Sequence, residues 1–205
     1  TMKICYKGFL GKNHSWSVFA RNIINSLKKE HEVDIFSTNG LSCFPDNLKP
    51  NLLGYTEENS QVLINKDITD EYDLAITYST MKNFPYYLKN GKFKIGVWCY
   101  EWNGTNVIPN GFAKHYKSCD VLCPPSNFAK DIFLNSKVPE SSMKVIPHGI
   151  DSNFTLDTKI TLPTKKKFKI LVNIAQNHLR KNIKGMLEAY GKAFTNKDDV
   201  CLLLK

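Results

Sequence analysis

The feature that most constrains this chain is a recurrence. Short apolar runs appear at Lys3 to Tyr6, Val33 to Phe36, Leu74 to Tyr78, Phe93 to Cys99, Val121 to Cys123 and Lys144 to Ile146, and helical patterns fall between several of them. The first helix is the clearest. Trp16, Phe19, Ile23, Ile24 and Leu27 recur at helical spacing, Ser15 is placed to cap the start, and Lys28 and Lys29 suit the negative end of the dipole. Strands that are apolar along their length, rather than at alternate positions, have both faces buried, which is the mark of a parallel sheet covered by helices on either side. The expected fold class is α/β, a doubly wound parallel sheet.

From Asp151 to Lys167 the composition turns to Thr, Lys, Asp and Pro, with little helical period. The chain therefore divides into a first domain over residues 1–155, a linker over 156–167 and the start of a second domain over 168–205. That last piece reads as a strand from Phe168 to Ile174, a helix from Lys181 to Phe194 with Ile183, Met186, Leu187 and Tyr190 on one side, and a strand from Val200 to Leu204. A lone strand, helix, strand of about 40 residues cannot bury both faces of its sheet, so it either leans on the first domain or belongs to a longer second one.

With 205 residues, 42% of them hydrophobic, the chain can bury one good core and begin another. No apolar run approaches the roughly 20 residues that cross a bilayer, and Lys3-Ile4-Cys5-Tyr6 opens a strand rather than a leader, so a soluble, cytoplasmic protein is expected. Thr1 ahead of Met2 implies that the boundaries need not be the natural ones. The six cysteines form no disulfide framework; Cys5, Cys99 and Cys123 sit in apolar runs as small hydrophobes. His115, Cys119 and Cys123 are spaced by four, but the strand signal before Pro124-Pro125 argues against a shared helical face, and no metal site is expected. The sequons at Asn13, Asn103 and Asn153 read as chance matches. A net charge of +9 attracts polyanions without saying which; it is spread over several elements, and a solvated surface explains it equally well.

Three constellations could carry chemistry. Gly8-Phe9-Leu10-Gly11-Lys12-Asn13-His14 follows the first strand, where Gly8 and Gly11 could let backbone amides approach a phosphate, although glycines that only turn the chain look the same. Val97-Trp98-Cys99-Tyr100-Glu101-Trp102-Asn103 ends a buried strand. Trp98, Tyr100, Trp102 and Asn103 around the Glu101 carboxylate suit a sugar, whose hydroxyls take hydrogen bonds while its C–H faces lie on rings; a packed aromatic corner is the competing reading. Arg180 and Lys181 precede a helix N-terminus, where cations oppose the dipole and so make better sense as diphosphate ligands.

Taken in order, these pieces and two more resemble a retaining glycosyltransferase of the GT-B fold, in the group of the glycogen synthases and the lipopolysaccharide mannosyltransferases. The carriers are the glycine loop with its helix, Lys29-Glu30-His31-Glu32-Val33-Asp34-Ile35-Phe36, Pro125-Ser126-Asn127-Phe128-Ala129-Lys130, and the hinge Val145-Ile146-Pro147-His148-Gly149-Ile150-Asp151. With them goes Asn177-His178-Leu179-Arg180-Lys181-Asn182, followed by Gly185-Met186-Leu187-Glu188-Ala189-Tyr190.

The resemblance implies two Rossmann-like domains, the first holding the acceptor and the second the nucleotide sugar. Lys181 and Arg180 would contact the donor diphosphate, with Gly8 and Gly11 on the opposite wall. Glu101 and Lys181 would be the catalytic residues, and Trp98, Tyr100, Trp102 and Asn103 the acceptor contacts. It further implies transfer with retention, no cofactor beyond the donor and no metal, a glycan or lipid-linked acceptor, and peripheral membrane contact. Ser126 would cap its helix rather than do chemistry. The sequence departs from the family in three ways: no histidine stands at the end of the fourth apolar run, Gln176 stands where the donor loop often has arginine, and the paired-glutamate motif does not occur before Lys205. These 205 residues alone are therefore not expected to turn over a donor. The alternatives are a non-catalytic sugar- or lipid-binding module of the same fold and a basic nucleic-acid-binding protein; the latter lacks an Arg-rich reading helix, and no nucleic-acid partner is expected.

Overall fold

The structure, a computed structural model, describes residues 1–10, 15–38, 62–64, 68–100, 107–109, 111–149, 161–174 and 181–204. The chain forms two compact units, Thr1–Ser152 and Asn153–Lys205. Residues 156–160 of the expected linker lie outside the described residues.

The first unit is built on a six-stranded sheet of β1 (Lys3–Gly8), β2 (Glu32–Ser37), β3 (Val62–Ile64), β4 (Tyr72–Tyr78), β5 (Gly91–Val97) and β6 (Val121–Cys123). The spatial order is β3-β2-β1-β4-β5-β6 and every pairing is parallel. This is the doubly wound sheet expected from the apolar runs, with β3 added between the second and third of them.

Both faces are buried. Ile4, Tyr6, Val33, Ile35, Ile76, Tyr78, Val97 and Cys123 face helix α1 (Ser15–Leu27), which contributes Ala20 and Ile24. The other face carries Cys5, Phe36, Ala75 and Leu122 beneath α2 (Phe84–Tyr87), the 3₁₀ helix Ala113–Ser118 and α3 (Asn127–Asn135). Fully burying one such Ile, Leu or Phe contributes about 1.5–3 kcal/mol, and it is this double coverage that makes the strands read as unbroken apolar runs.

Helix α1 differs in detail from its sequence pattern. Its innermost residues are Ser17, Ala20 and Ile24, while Trp16, Phe19 and Leu27 are only partly buried at the flanks. Small side chains let the helix axis approach the sheet, and the larger ones wrap around the contact. Ser15 is the first residue of the helix rather than the residue before it.

The expected strand at Lys144 to Ile146 is reduced to a single parallel bridge between Leu122 and Met143. The segment still runs beside β6, with Lys144 N donating to Leu122 O (3.0 Å) and Ile146 N to Pro124 O (3.0 Å). A parallel ladder needs a return donor between those two acceptors. Residue 124 is proline and has no N–H to supply it.

At the amino-terminal border of the sheet, charges are paired internally. Lys3 binds Asp70 (2.9 Å), Lys92 binds Asp73 (3.1 Å), and the Tyr72 hydroxyl donates to Asp34 (2.8 Å). Burial first, and then the Asp34 carboxylate, hold the Tyr72 phenol well above its ordinary range. Burial likewise pushes the Cys5 and Cys119 thiols up to about 12 and that of Cys123 up to about 11, so these side chains act as small hydrophobes rather than nucleophiles.

The second unit consists of β7 (Phe168–Val172), α4 (Ile183–Ala193) and β8 (Val200–Leu204), the two strands pairing in parallel. Lys167 N donates to Asp199 Oδ1 (2.9 Å), and Lys166 Nζ bonds the carbonyls of Asn196 and Asp198, tying the approach to β7 to the turn before β8. Among the described residues no helix is long and apolar enough to cross a membrane.

One close contact fixes the packing of α2. Gly96, in the middle of β5, lies under the Phe84 ring so closely that a Cβ there would overlap it. Gly96→Ala should lower stability by about 1–3 kcal/mol, the usual cost of overpacking. Chemical denaturation of the two proteins side by side measures it.

Candidate functional site

Because all strands of the first unit run the same way, their carboxyl ends share one border. From β1 the order proceeds through β2 and β3 on one side and resumes with β4, β5 and β6 on the other. The winding therefore reverses between β1 and β4, and the crevice outside those two carboxyl ends is where open sheets of this kind take ligands.

Gly8 closes β1 at this crevice. Its carbonyl accepts from Thr38 N (2.9 Å), and a Cβ on it would stand 2.6 Å from the Tyr6 hydroxyl oxygen, so packing by itself demands glycine here. Beyond it, the Arg21 guanidinium of α1 donates to Leu10 O (3.3 Å) and fastens the start of the loop to the helix that follows. Gly11 lies outside the described residues.

Facing Gly8, β4 ends in Tyr78 and is followed by Ser79 and Thr80. The Asn83 side-chain nitrogen donates to Ser79 Oγ (2.8 Å) and Thr80 Oγ1 (3.3 Å), while Ser79 N donates to Val97 O (3.1 Å). Thr77 Oγ1 donates to Lys7 O (2.6 Å) and locks β4 to β1. This hydroxyl pair at the reversal point was not anticipated. Its signal is a Ser-Thr step directly after an apolar run that ends on the ligand border.

An aromatic group stands beside it. Trp16 stacks on Tyr78 at 5.1 Å between centroids, Phe19 meets Tyr78 edge-on at 4.9 Å, and the His148 ring lies 4.5 Å from Phe19 and 5.5 Å from Tyr78. The hinge motif of the sequence is thus seated, through His148, on α1 and β4. Ile150 and Asp151 of that motif lie outside the described residues.

The third constellation divides. Trp98 is only 3% exposed and packs among Tyr100, Phe112 and Phe133, at 5.2, 6.2 and 5.9 Å between centroids. Its indole is a core side chain that supports the segment from beneath, which corrects the expectation of an open acceptor surface at this residue. Tyr100 is half-buried against it; Glu101, Trp102 and Asn103 lie outside the described residues. Ser126 caps α3, its Oγ accepting from Ala129 N (3.2 Å), as the sequence predicts. Among the described residues no group of three His, Cys, Asp or Glu side chains could hold a metal ion.

In the second unit, Lys181 is exposed immediately before α4, and Arg180 lies outside the described residues. Asn182, at the cap position, has φ +44°, a left-handed conformation that asparagine tolerates better than most residues, and its side chain makes no capping bond. No acidic residue occupies the first turn. The positive end of the α4 dipole is therefore left without a side-chain cap, with a lysine beside it, an arrangement that favours an anion.

The chain matches no protein-family model and no curated protein. It is similar in structure to Anabaena Alr3699/HepE in complex with UDP and glucose, with 15% identity and a TM-score of 0.61 over all of this chain and 60% of that one. A second structure of that protein, in complex with UDP-glucose, aligns over 75% of this chain and 45% of that one, with 16% identity and a TM-score of 0.49. An alpha-glucosyltransferase (AGT) in complex with UDP aligns over 62% and 36%, with 16% identity and a TM-score of 0.39. The first likeness establishes the fold, and this chain spans 60% of the length of the protein it is matched with there.

His148 gives the crevice a measurable pH dependence. The apolar rings beneath it desolvate the imidazole and hold its pKa below the ordinary 6.5. Its contribution to stability is complete above that value and is lost as pH falls through it toward the folded pKa, because the unfolded chain takes up the proton first. The urea midpoint should fall on acidification from about pH 7.5 to about 5.5, and His148→Phe should flatten that part of the profile.

Proposed function

We propose that this chain is part of a glycosyltransferase that moves a sugar from a nucleotide-sugar donor to a glycan or lipid-linked acceptor with retention at the anomeric carbon. The observation that carries the reading is the exposed Lys181 beside the uncapped N-terminus of α4, in a fold shared over the whole chain with a protein crystallised with UDP and glucose. The fold supports a transferase in general. The hexosyl class, the stereochemistry and the acceptor rest on the motif resemblance.

In this reading Lys181 and Arg180 hold the donor diphosphate, and Gly8 and Gly11 are glycines whose backbone a phosphate can approach closely. The bond from the anomeric carbon to the diphosphate oxygen breaks through an oxocarbenium-like transition state, and the cations meet the charge that develops on the leaving group. The acceptor oxygen bonds to the same carbon on the same face, and its proton passes to the departing phosphate. Glu101, with Tyr100, Trp102 and Asn103, orients the acceptor hydroxyl, while Trp98 backs that segment from the core. No metal and no cofactor other than the donor is needed, since lysine and arginine supply the positive charge. Where the acceptor is lipid-linked, the protein works at a membrane surface.

The test uses a polypeptide that carries this chain and continues over the remaining length of the aligned HepE fold. Lys181→Ala should lower transfer or hydrolysis of UDP-glucose, or of whichever donor a thermal-shift screen selects, by at least about tenfold, the effect of losing one charge-assisted contact of about 1.4 kcal/mol in the transition state. A rate equal to that of the parent removes the donor assignment.

A further inference from the structure

We infer that the outer surface formed by α2 and the 3₁₀ helix Ala113–Ser118 is a docking face for an anionic lipid bilayer. This deepens the membrane contact of the reading above by naming the surface that makes it. The sequence between Asp73 and Asp120 holds six lysines, at 82, 89, 92, 94, 114 and 117, against one carboxylate, Glu101, and in the fold Glu71 joins Lys89 and Lys92 around one surface hollow while Asp73 pairs with Lys92. The fold then sorts these lysines by face.

Along residues 81–89, Met81, Phe84 and Leu88 are buried in the core, while Lys82 in the 3₁₀ turn before α2, Tyr86 within it and Lys89 just past its end are exposed. In the neighbouring 3₁₀ helix, residues three apart eclipse one another. Ala113 and Tyr116 therefore pack together against the core, and Lys114 and Lys117 stand together in solvent. The two helices pack against each other, so the outward lysines form one patch. Lys92 and Lys94 project from β5 on the same side of the sheet as Gly96, which lies under the Phe84 ring of α2.

None of Lys82, Lys89, Lys114 and Lys117 has a carboxylate partner among the described residues, whereas Lys3, Lys92, Lys130 and Lys184 each have one. Within this stretch Tyr86, between Lys82 and Lys89, is 69% exposed, an aromatic ring with a polar tip. That combination suits a headgroup region, where tyrosine rings settle and lysines meet anionic lipids. A nucleic acid would be met differently: of 28 basic residues in the chain only Arg21 and Arg180 are arginine, the side chain whose planar fork reads phosphates and base edges.

The experiment is co-sedimentation of the whole chain with vesicles of phosphatidylcholine containing roughly 30 mol% phosphatidylserine, compared with pure phosphatidylcholine. Each lysine brought to an anionic surface is worth about fivefold in partitioning, so the variant carrying Lys82→Gln, Lys89→Gln, Lys114→Gln and Lys117→Gln should lose on the order of 600-fold, and each pairwise variant about 25-fold. Tyr86→Ser should remove the part of the binding that survives high salt. A control carrying Lys29→Gln, Lys165→Gln, Lys192→Gln and Lys197→Gln, all exposed and outside the patch, should keep most of the binding.

The inference is overturned if the patch variants bind as the parent does, or if the control loses as much, since net charge alone then explains the effect. It is also overturned if the parent ignores anionic vesicles and instead retains duplex DNA in a patch-dependent way. No sugar transfer is read, so this outcome is independent of whether the donor assignment holds.

Discussion

A parallel sheet cannot leave a face to water here, because β1, β2 and β4 bury apolar side chains on both sides, and that single requirement organises the first unit. Helix α1 must lie on one face and α2, the 3₁₀ helix and α3 on the other. Once both faces are covered, only the borders of the sheet remain for chemistry. The two borders are treated differently. At the amino-terminal one, Lys3 pairs with Asp70 and Lys92 with Asp73, and the Tyr72 hydroxyl donates to the Asp34 carboxylate. At the carboxyl border the described groups are a glycine, two hydroxyls held by an amide, and stacked rings. A border whose charges are already paired has little to offer a ligand, whereas one furnished with hydroxyls and ring faces can take one.

Much of the scaffold was legible because it follows from periodicity. Five of the six strands of the first unit coincide with apolar runs, β7, α4 and β8 fall where the second unit was drawn, and the Ser126 cap follows from its place ahead of an amphipathic helix. What was hidden depends on distances between segments far apart in sequence. The three residues of β3 are too few to display a period. The inner face of α1 is centred on Ser17 and Ala20, which no hydrophobicity pattern selects, because what qualifies them is their small size against the sheet.

The candidate site was legible in part and for a related reason. A residue type announces what chemistry it could do but not whether it is accessible. Trp98 and Tyr100 are adjacent aromatics of similar appearance in sequence, yet the first is sealed in the core and the second is half-buried. Ser79 and Thr80 are common residues that gain significance only from the strand order, since the reversal between β1 and β4 is a property of the sheet rather than of any segment. Lys181 stands out in the sequence because a cation before a helix start runs against the dipole, and such local conflict is visible without coordinates.

The missing amide hydrogen at Pro124 has a reach beyond the one bridge it prevents. A sheet that could accept a seventh ribbon on that flank could accept it from another molecule as readily as from its own chain, and repeated addition of that sort builds fibrils. At Pro124 a visiting strand would find an acceptor without the donor needed to zip along it. The same ring that blunts the ladder against residues 144–146 thus guards the flank against self-templating growth, a safeguard encoded in an absent atom rather than in any added contact.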